Sequence, residues 1–238
     1  LCGDVWLAGT PAARVTDVKV ETSVRNRELT LGVGLAGLTA GATYSLRVEV
    51  RDGGRVVREF VGKPFRAAAG DANATGSERW MPEKLWDVHT PRNTFEASVS
   101  LVAGDTILDV YHPVRFGFRE FWVDGRDFRL NGTRIQFSAV PLDNAQIGAA
   151  LANYKAAVEN LQRLKSIGVN FVYTHNYGCQ PGDHLSFDEI LRAADDVGML
   201  VALSQPHFSH YDWQAADANA KNGYAQHAEF YVRQAQNH

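Results

Sequence analysis

Between Arg134 and Leu203 the chain alternates between two hydrophobic periods, and this alternation limits the folds open to it more than any other feature. Three short apolar runs, Arg134 to Val140, Val169 to Tyr173 and Met199 to Leu203, are separated by two stretches with helical spacing. In the first stretch Leu151, Tyr154, Val158, Leu161, Leu164 and Ile167 recur at intervals of three and four, which lines one face of a helix. Gly168 follows as a stop, because glycine accepts a positive φ with no Cβ to clash. The second stretch, Ser186 to Val197, has Ser186 as its N-cap and Gly198 as its stop. A third helical stretch runs from Tyr224 to Gln236. Strand, helix, strand, helix, strand is the opening of a parallel β/α barrel. A complete barrel of eight strands takes roughly 250 residues, more than the whole chain of 238. The expectation is a truncated (β/α)8 TIM barrel of about three strands in a piece of a larger protein.

The preceding part has a different period. From Val15 to Val110 apolar residues alternate: Val18 and Val20, then Leu29, Leu31 and Val33, then Tyr44, Leu46, Val48 and Val50. Period two puts one face of each strand inward. Turn residues fall between the runs at Arg25-Asn26-Arg27, Gly37 to Gly41, Asp52-Gly53-Gly54 and Ala103-Gly104-Asp105. Arg47 to Arg51 with Arg55 to Phe60, and Phe95 to Leu101 with Thr106 to Tyr111, read as hairpins. Several short strands with frequent turns describe a β-sandwich of immunoglobulin type. The segment Ala67 to Ser77, AAAGDANATGS, is too poor in apolar side chains to specify a buried element and reads as a loop or edge connection. Trp80 and Trp86, near Pro82 and Pro91, read as aromatics packed across the end of the sandwich rather than as a ligand site. After Val114, the turns Asp124-Gly125 and Asn131-Gly132 make a small β segment leading into the barrel.

Composition narrows the function. Net charge is −3, with acids and bases mixed along the chain, so there is no basic field for nucleic acid and no polybasic run for a lipid surface. No apolar run approaches the ~20 residues of a membrane-spanning helix. Cys2 and Cys179 show no paired metal-ligand spacing and no disulfide framework. LCGDVWLAGTP carries no start methionine, basic leader or apolar core of a signal peptide, so the compartment is not legible.

Three segments carry a resemblance to glycoside hydrolase family two, which includes β-galactosidases, β-glucuronidases and β-mannosidases. PEKLWDVHTP at Pro82 resembles the family's proline, acid and Leu-Trp run. FGFREFWVDGRDFRLNGTRI from Phe116 is similar to its strand linking sandwich to barrel. LKSIGVNFVYTHNY and DDVGMLVA, between Leu161 and Ala202, resemble its frame around barrel strands two and three. The resemblance implies a multidomain all-β plus α/β chain: residues 1–12 end a preceding jelly-roll sugar-binding domain, 13–115 form the immunoglobulin-like sandwich, and 116–238 begin the barrel. It implies hydrolysis of β-linked O-glycosides, with both catalytic glutamates outside this sequence and no cofactor. The chain also departs from the family. Tyr173, Thr174, His175, Asn176, Tyr177 and Gly178 stand where the family usually has arginine, then serine or cysteine, then His-Tyr-Pro. Pro141-Leu142-Asp143-Asn144 and Ser204-Gln205 replace acidic or histidine-bearing strand ends. These departures motivate a second reading, a carbohydrate-binding or scaffold protein on the same architecture.

Retaining glycosidases need two carboxyl groups roughly 5 to 5.5 Å apart. Glu159, Glu189 and Glu229 all fall on helical stretches, where a solvated surface charge is the simpler reading, so no catalytic residue is assigned. The residues after the barrel strands suit a carbohydrate instead, since a sugar ring needs directional hydrogen-bonding groups and an apolar face. Asp143, His175, Asn176, Tyr177, His207, His210 and Trp213 are the expected substrate contacts. Asp143 equally reads as the cap of the following helix, and Trp213 as a cover over the barrel rim. His207 and His210, with Asp183, His184 or Asp212, offer imidazole and carboxylate for a metal, which keeps a metal-dependent hydrolase or lyase as a third reading. Asn73-Ala74-Thr75 and Asn131-Gly132-Thr133 match the glycosylation acceptor pattern, and the second doubles as a hairpin turn.

Overall fold

The computed structural model of the chain describes residues 9–68, 70–142, 153–174, 187–203, 212, 214–217 and 223–238. They form two compact units, one of residues up to Glu83 with Thr94–Phe116, the other of Lys84–Asn93 with Gly117–His238.

The first unit is antiparallel. Strands β1 (Arg14–Ser23), β2 (Glu28–Leu38) and β6 (Gly70–Arg79) make one sheet in the order β1-β2-β6. Strands β3 (Thr43–Asp52), β4 (Arg55–Val61), β7 (Thr94–Ala103) and β8 (Thr106–Val110) make the other, in the order β4-β3-β7-β8. The two-residue β5 (Phe65–Arg66) pairs with β3, and β9 (Val114–Gly117) with β7. Alternation does what the sequence predicts: Leu29, Leu31, Val33 and Leu35 are buried while Thr30, Gly32 and Gly34 between them are partly exposed. Both expected hairpins, β3–β4 and β7–β8, are present. The buried faces of the two sheets meet at Gly76 of β6, where an added Cβ would lie 3.7 Å from the Phe60 ring and 4.0 Å from Leu46. Trp80 packs edge-on to Phe95 at 5.3 Å.

The expected loop is mostly strand. β6 pairs with β2 from Glu28↔Arg79 to Leu35↔Ala72, although Gly76 is its one buried residue among those described. A strand is held by its backbone ladder, and an edge strand that contributes hydrogen bonds rather than apolar area leaves little trace in composition. Its small residues also face small partners, with Thr75 opposite Gly32 and Asn73 opposite Gly34.

The second unit begins with an antiparallel sheet, β10 (Phe121–Asp124), β11 (Asp127–Leu130) and β12 (Thr133–Ile135), in that order. Asn131 and Gly132 both take positive φ, 54° and 92°, in the tight turn between β11 and β12. The Asn131 amide has a structural role: its Oδ1 accepts from Glu120 N and its Nδ2 donates to Trp86 O, at 2.9 and 2.8 Å. The run expected as one strand from Arg134 to Val140 is split, β12 closing the antiparallel sheet and β13 (Ala139–Pro141) opening a parallel one. Asn170 fixes the break, accepting from Ser138 N and donating to Gln136 O, both at 2.9 Å.

The parallel sheet is β13, β14 (Phe171–Thr174) and β15 (Leu200–Leu203), with Val140, Val172 and Val201 in register. Helices α1 (Tyr154–Ser166) and α2 (Phe187–Val197) cover one face through a core that includes Ala157, Leu161, Val172, Ile190, Ala194 and Val197. Asn153 caps α1, its Oδ1 accepting from Ala156 N at 3.1 Å. Gly168 follows at φ 91°. Ile167, expected on the apolar face, is 76% exposed, because as the C-cap it leaves helical geometry and the helical phase stops before it. Helix α3 (Tyr224–Ala235) packs the fully buried Tyr231 against Leu191 of α2. Trp86 is buried in this second unit, with Val88 and Leu130. Glycine at 117 makes that seat, since a Cβ there would lie 2.6 Å from the Cβ of Trp86.

Candidate functional site

Strand alternation decides which side chains line the face of the parallel sheet away from α1 and α2. Val172 is fully buried against the helices, so its neighbours Phe171 and Tyr173 project the other way. The registers place two rows on that face: Ala139, Phe171 and Leu200 near the strand starts, then Pro141, Tyr173 and Ala202 toward the C-terminal ends. The ladder continues one step, with Leu142 N donating to Tyr173 O at 2.8 Å.

The lower row sits on a column of rings. Phe171 stacks on Phe137 with centroids 4.5 Å apart, Phe137 on Phe128 at 4.5 Å, and Phe128 on Phe121 at 5.9 Å. The small antiparallel sheet supplies two of the four rings, and its other face carries ion pairs, Arg129 with Asp124 and Arg134 with Asp127, both at 2.9 Å. The sequence reading missed this column. Its signal was there: in a three-stranded sheet closed by a Gly-Arg turn and an Asn-Gly turn, Phe121, Val123, Phe128 and Ile135 fall on one side. In the upper row Tyr173 is 36% exposed, with Pro141 exposed and Ala202 partly buried beside it in register. Among the described residues, this face therefore carries stacked phenylalanine rings near the strand starts and the Tyr173 ring toward the strand ends.

All of the predicted contacts, Asp143, His175, Asn176, Tyr177, His207, His210 and Trp213, lie outside the described residues, as do Cys2, Cys179, Asp183 and His184. Of the residues considered for a metal, Asp212 is described, and its Oδ1 accepts from Gln214 N in a local turn. No cluster of three or more metal-ligating side chains occurs among the described residues. Glu159, Glu189 and Glu229 stand on α1, α2 and α3, and Glu229 pairs with Arg233 one turn on, at 2.9 Å. No described helix is long and apolar enough to cross a membrane.

A second polar constellation lies at the opposite end, where α2 turns into β15. The Asp195 carboxylate meets Arg119 at 3.4 Å and His238 Nδ1 at 2.7 Å. The Arg119 guanidinium lies 4.4 Å over the Trp86 ring, and Trp86 Nε1 donates to the Asp195 carbonyl at 3.1 Å. These groups rim a groove of about 160 Å³ lined along β15 by Met199, Leu200, Val201 and Leu203. A histidine beside a carboxylate has the form of a general base and its orienter. Here the carboxylate also holds an arginine, and the cluster sits at the strand starts, the end of a β/α array that serves stability rather than chemistry. Lys165 belongs to the same seam. Its Nζ donates to Val88 O at 2.5 Å and to Val197 O, joining the 84–93 segment to the end of α2. Burial pushes its ammonium below the ordinary lysine value, opposed by the nearby Asp87 carboxylate.

No family model and no curated protein sequence matches the chain. Solved structures do. A glycosyl hydrolase family 2 member from Bacteroides cellulosilyticus matches with a TM-score of 0.75 at 18% identity, over 96% of this chain and 30% of that one. β-Glucuronidase 3 of Bacteroides uniformis matches at 0.62 and 24% identity, over 96% and 27%, and the β-D-mannosidase of Dictyoglomus thermophilum at 0.65 and 16%, over 97% and 29%. At these identities the likeness is one of fold, and the resemblance read from the sequence holds at that level. The chain spans about 30% of the length of the first of these structures.

Proposed function

We propose that the chain is part of a glycosidase acting on β-linked O-glycosides, with an immunoglobulin-like sandwich over residues 13–115 and the first strands of a (β/α)8 barrel over 116–238. The observation that carries the reading is the fold likeness, over nearly the whole chain, to structures named as a β-glucuronidase and a β-mannosidase. The parallel strands with their intervening helices support it, because β/α barrels hold their substrates at the C-terminal ends of such strands. In this reading Asp143, His175, Asn176, Tyr177, His207, His210 and Trp213, which follow the three strands in sequence, contact the sugar. The two carboxyl groups of a retaining double displacement, one protonating the leaving oxygen and one attacking the anomeric carbon, come from other parts of the protein.

The test is hydrolysis of chromogenic β-glycosides of galactose, glucuronic acid, mannose and glucose, by this chain and by a longer protein containing it. The expected result is no turnover by the chain alone, and turnover with retained anomeric configuration by the longer protein. Turnover by the chain that depends on its own residues would overturn the placement of the acids. A longer protein that binds these sugars without cleaving them would favour the binding or scaffold reading that the replaced strand-end motifs motivate.

A further inference from the structure

The two glycosylation acceptor patterns of the sequence sit in opposite surroundings. Asn73 lies on β6, at the edge of the sheet β1-β2-β6. Along β6 the side chains alternate: Gly76 is buried on one side, while Asp71, Asn73 and Thr75 are exposed on the other. The asparagine, its threonine and an acid two residues before it therefore share one solvent-facing side of an extended segment. Their in-register neighbours on β2 are glycines, Gly34 beside Asn73 and Gly32 beside Thr75, so β2 raises no side chain against the asparagine amide. Asn131 is the contrary case. Its amide is engaged in the fold, Oδ1 accepting from Glu120 N and Nδ2 donating to the carbonyl of the buried Trp86. The residue two before it is Arg129, a cation where Asn73 has an acid.

We propose that Asn73 is an N-glycosylation site, the acceptor of an oligosaccharide from a lipid-linked diphosphate donor, and that Asn131, with the same pattern, is not. In the transfer the Asn73 Nδ2 forms a bond to C1 of the first sugar, and the C1–O bond to the diphosphate breaks. The lipid diphosphate leaves with the electron pair, and the amide gives up one proton. Thr75 and Asp71 present a hydroxyl and a carboxylate on the same side as the amide, which a transferase gripping an extended acceptor can hold together. An edge strand suits the product, because the glycan stays in solvent and hinders pairing of that edge with another chain. The site is independent of the glycosidase reading.

Acceptor patterns of this kind are modified on exported chains. The full chain is therefore sent to the bacterial periplasm behind a secretory leader, together with a single-subunit oligosaccharyltransferase that requires an acid two residues before the asparagine, and its lipid-diphosphate donor. Mass spectrometry of the purified protein and its peptides should show one glycan per chain, on Asn73. Asn73→Gln and Thr75→Ala should abolish it, Asp71→Ala should largely abolish it, and Asn131→Gln should leave it in place. Secretion from a eukaryotic cell, whose transferase has no requirement for the acid, should again give folded chain modified at Asn73 and not at Asn131. The glycosylated chain and Asn73→Gln should unfold at the same denaturant concentration. A chain left unmodified at Asn73 in either host would overturn the assignment, as would a folded chain that carries its glycan on Asn131. A lower unfolding midpoint for the glycosylated chain would overturn it too, by showing that the face has no room for the sugar.

Discussion

The antiparallel unit and the parallel unit bury their apolar residues in different ways. In the first, two sheets each turn one face to the other, so Leu29, Leu31, Val48, Val50, Val99 and Leu101 are all fully buried within the unit itself. In the second, helices cover one face of a three-stranded sheet, and on the other face Leu200 packs against Leu130 and Ile135 while Phe171 stacks on Phe137. A sandwich spends its inward residues on stability and has none left for binding. A parallel sheet with one covered face leaves side chains of its other face exposed, Pro141 and Tyr173 among those described.

The widest contrast should appear between Leu31 and Tyr173. Leu31→Ala removes a fully buried side chain from the middle of a sheet and should cost about 2–5 kcal/mol. Tyr173→Ala, at a ring that is 36% exposed, should cost less than Leu31→Ala. Denaturant unfolding monitored in each unit measures both, and equal costs would break the comparison. Glycines sharpen it next. Gly198 has φ 78°, and a Cβ there would lie 2.3 Å from Val88 O, so Gly198→Ala should destabilise the parallel unit by about 1–3 kcal/mol. Gly104, at φ 57° with nothing within 4 Å, sits in an open hairpin of the sandwich, and Gly104→Ala should cost about 1 kcal/mol from backbone strain alone.

Asp195→Asn separates stability from binding within the parallel unit. It weakens the contacts to Arg119 and His238 and should cost about 1 kcal/mol, with glycoside affinity unchanged because the cluster lies at the strand starts. The smallest effect is a pH dependence through Lys165. Its folded pKa is lowered, so between that value and the ordinary lysine value the unfolded chain binds more protons, and stability through this group rises as pH rises. The difference in unfolding midpoint between wild type and Lys165→Met should therefore move in favour of wild type from neutral to alkaline pH. A shift in the opposite sense would mean that the buried ammonium is stabilised, not penalised.

Much of the fold was legible because period and turn chemistry act locally. The alternation of Val48 and Val50, the Asn131-Gly132 turn, and the spacing of Tyr154, Val158 and Leu161 each name their element without reference to the rest of the chain. What was not legible depends on partners. β6 is a strand because β2 lies beside it, Trp86 is buried where Gly117 leaves room, and Asn170 divides Gln136 to Ser138 from across the sheet. The site divides the same way. Sequence order alone pointed to the strand ends, whereas the stacked rings and the row of Tyr173 emerge only when three strand registers are aligned.

The central claim is that one end of the parallel sheet binds and the other end holds the unit together. Backbone amide shifts of the full chain, followed while methyl β-glycosides of galactose, glucuronic acid, mannose and glucose are added in turn, test this most directly. The account predicts saturable shifts at Val140, Leu142 and Tyr173, with Arg119, Asp195 and His238 unmoved. Shifts confined to Arg119, Asp195 and His238 would contradict it, by moving the ligand to the groove beneath Met199 and Leu200.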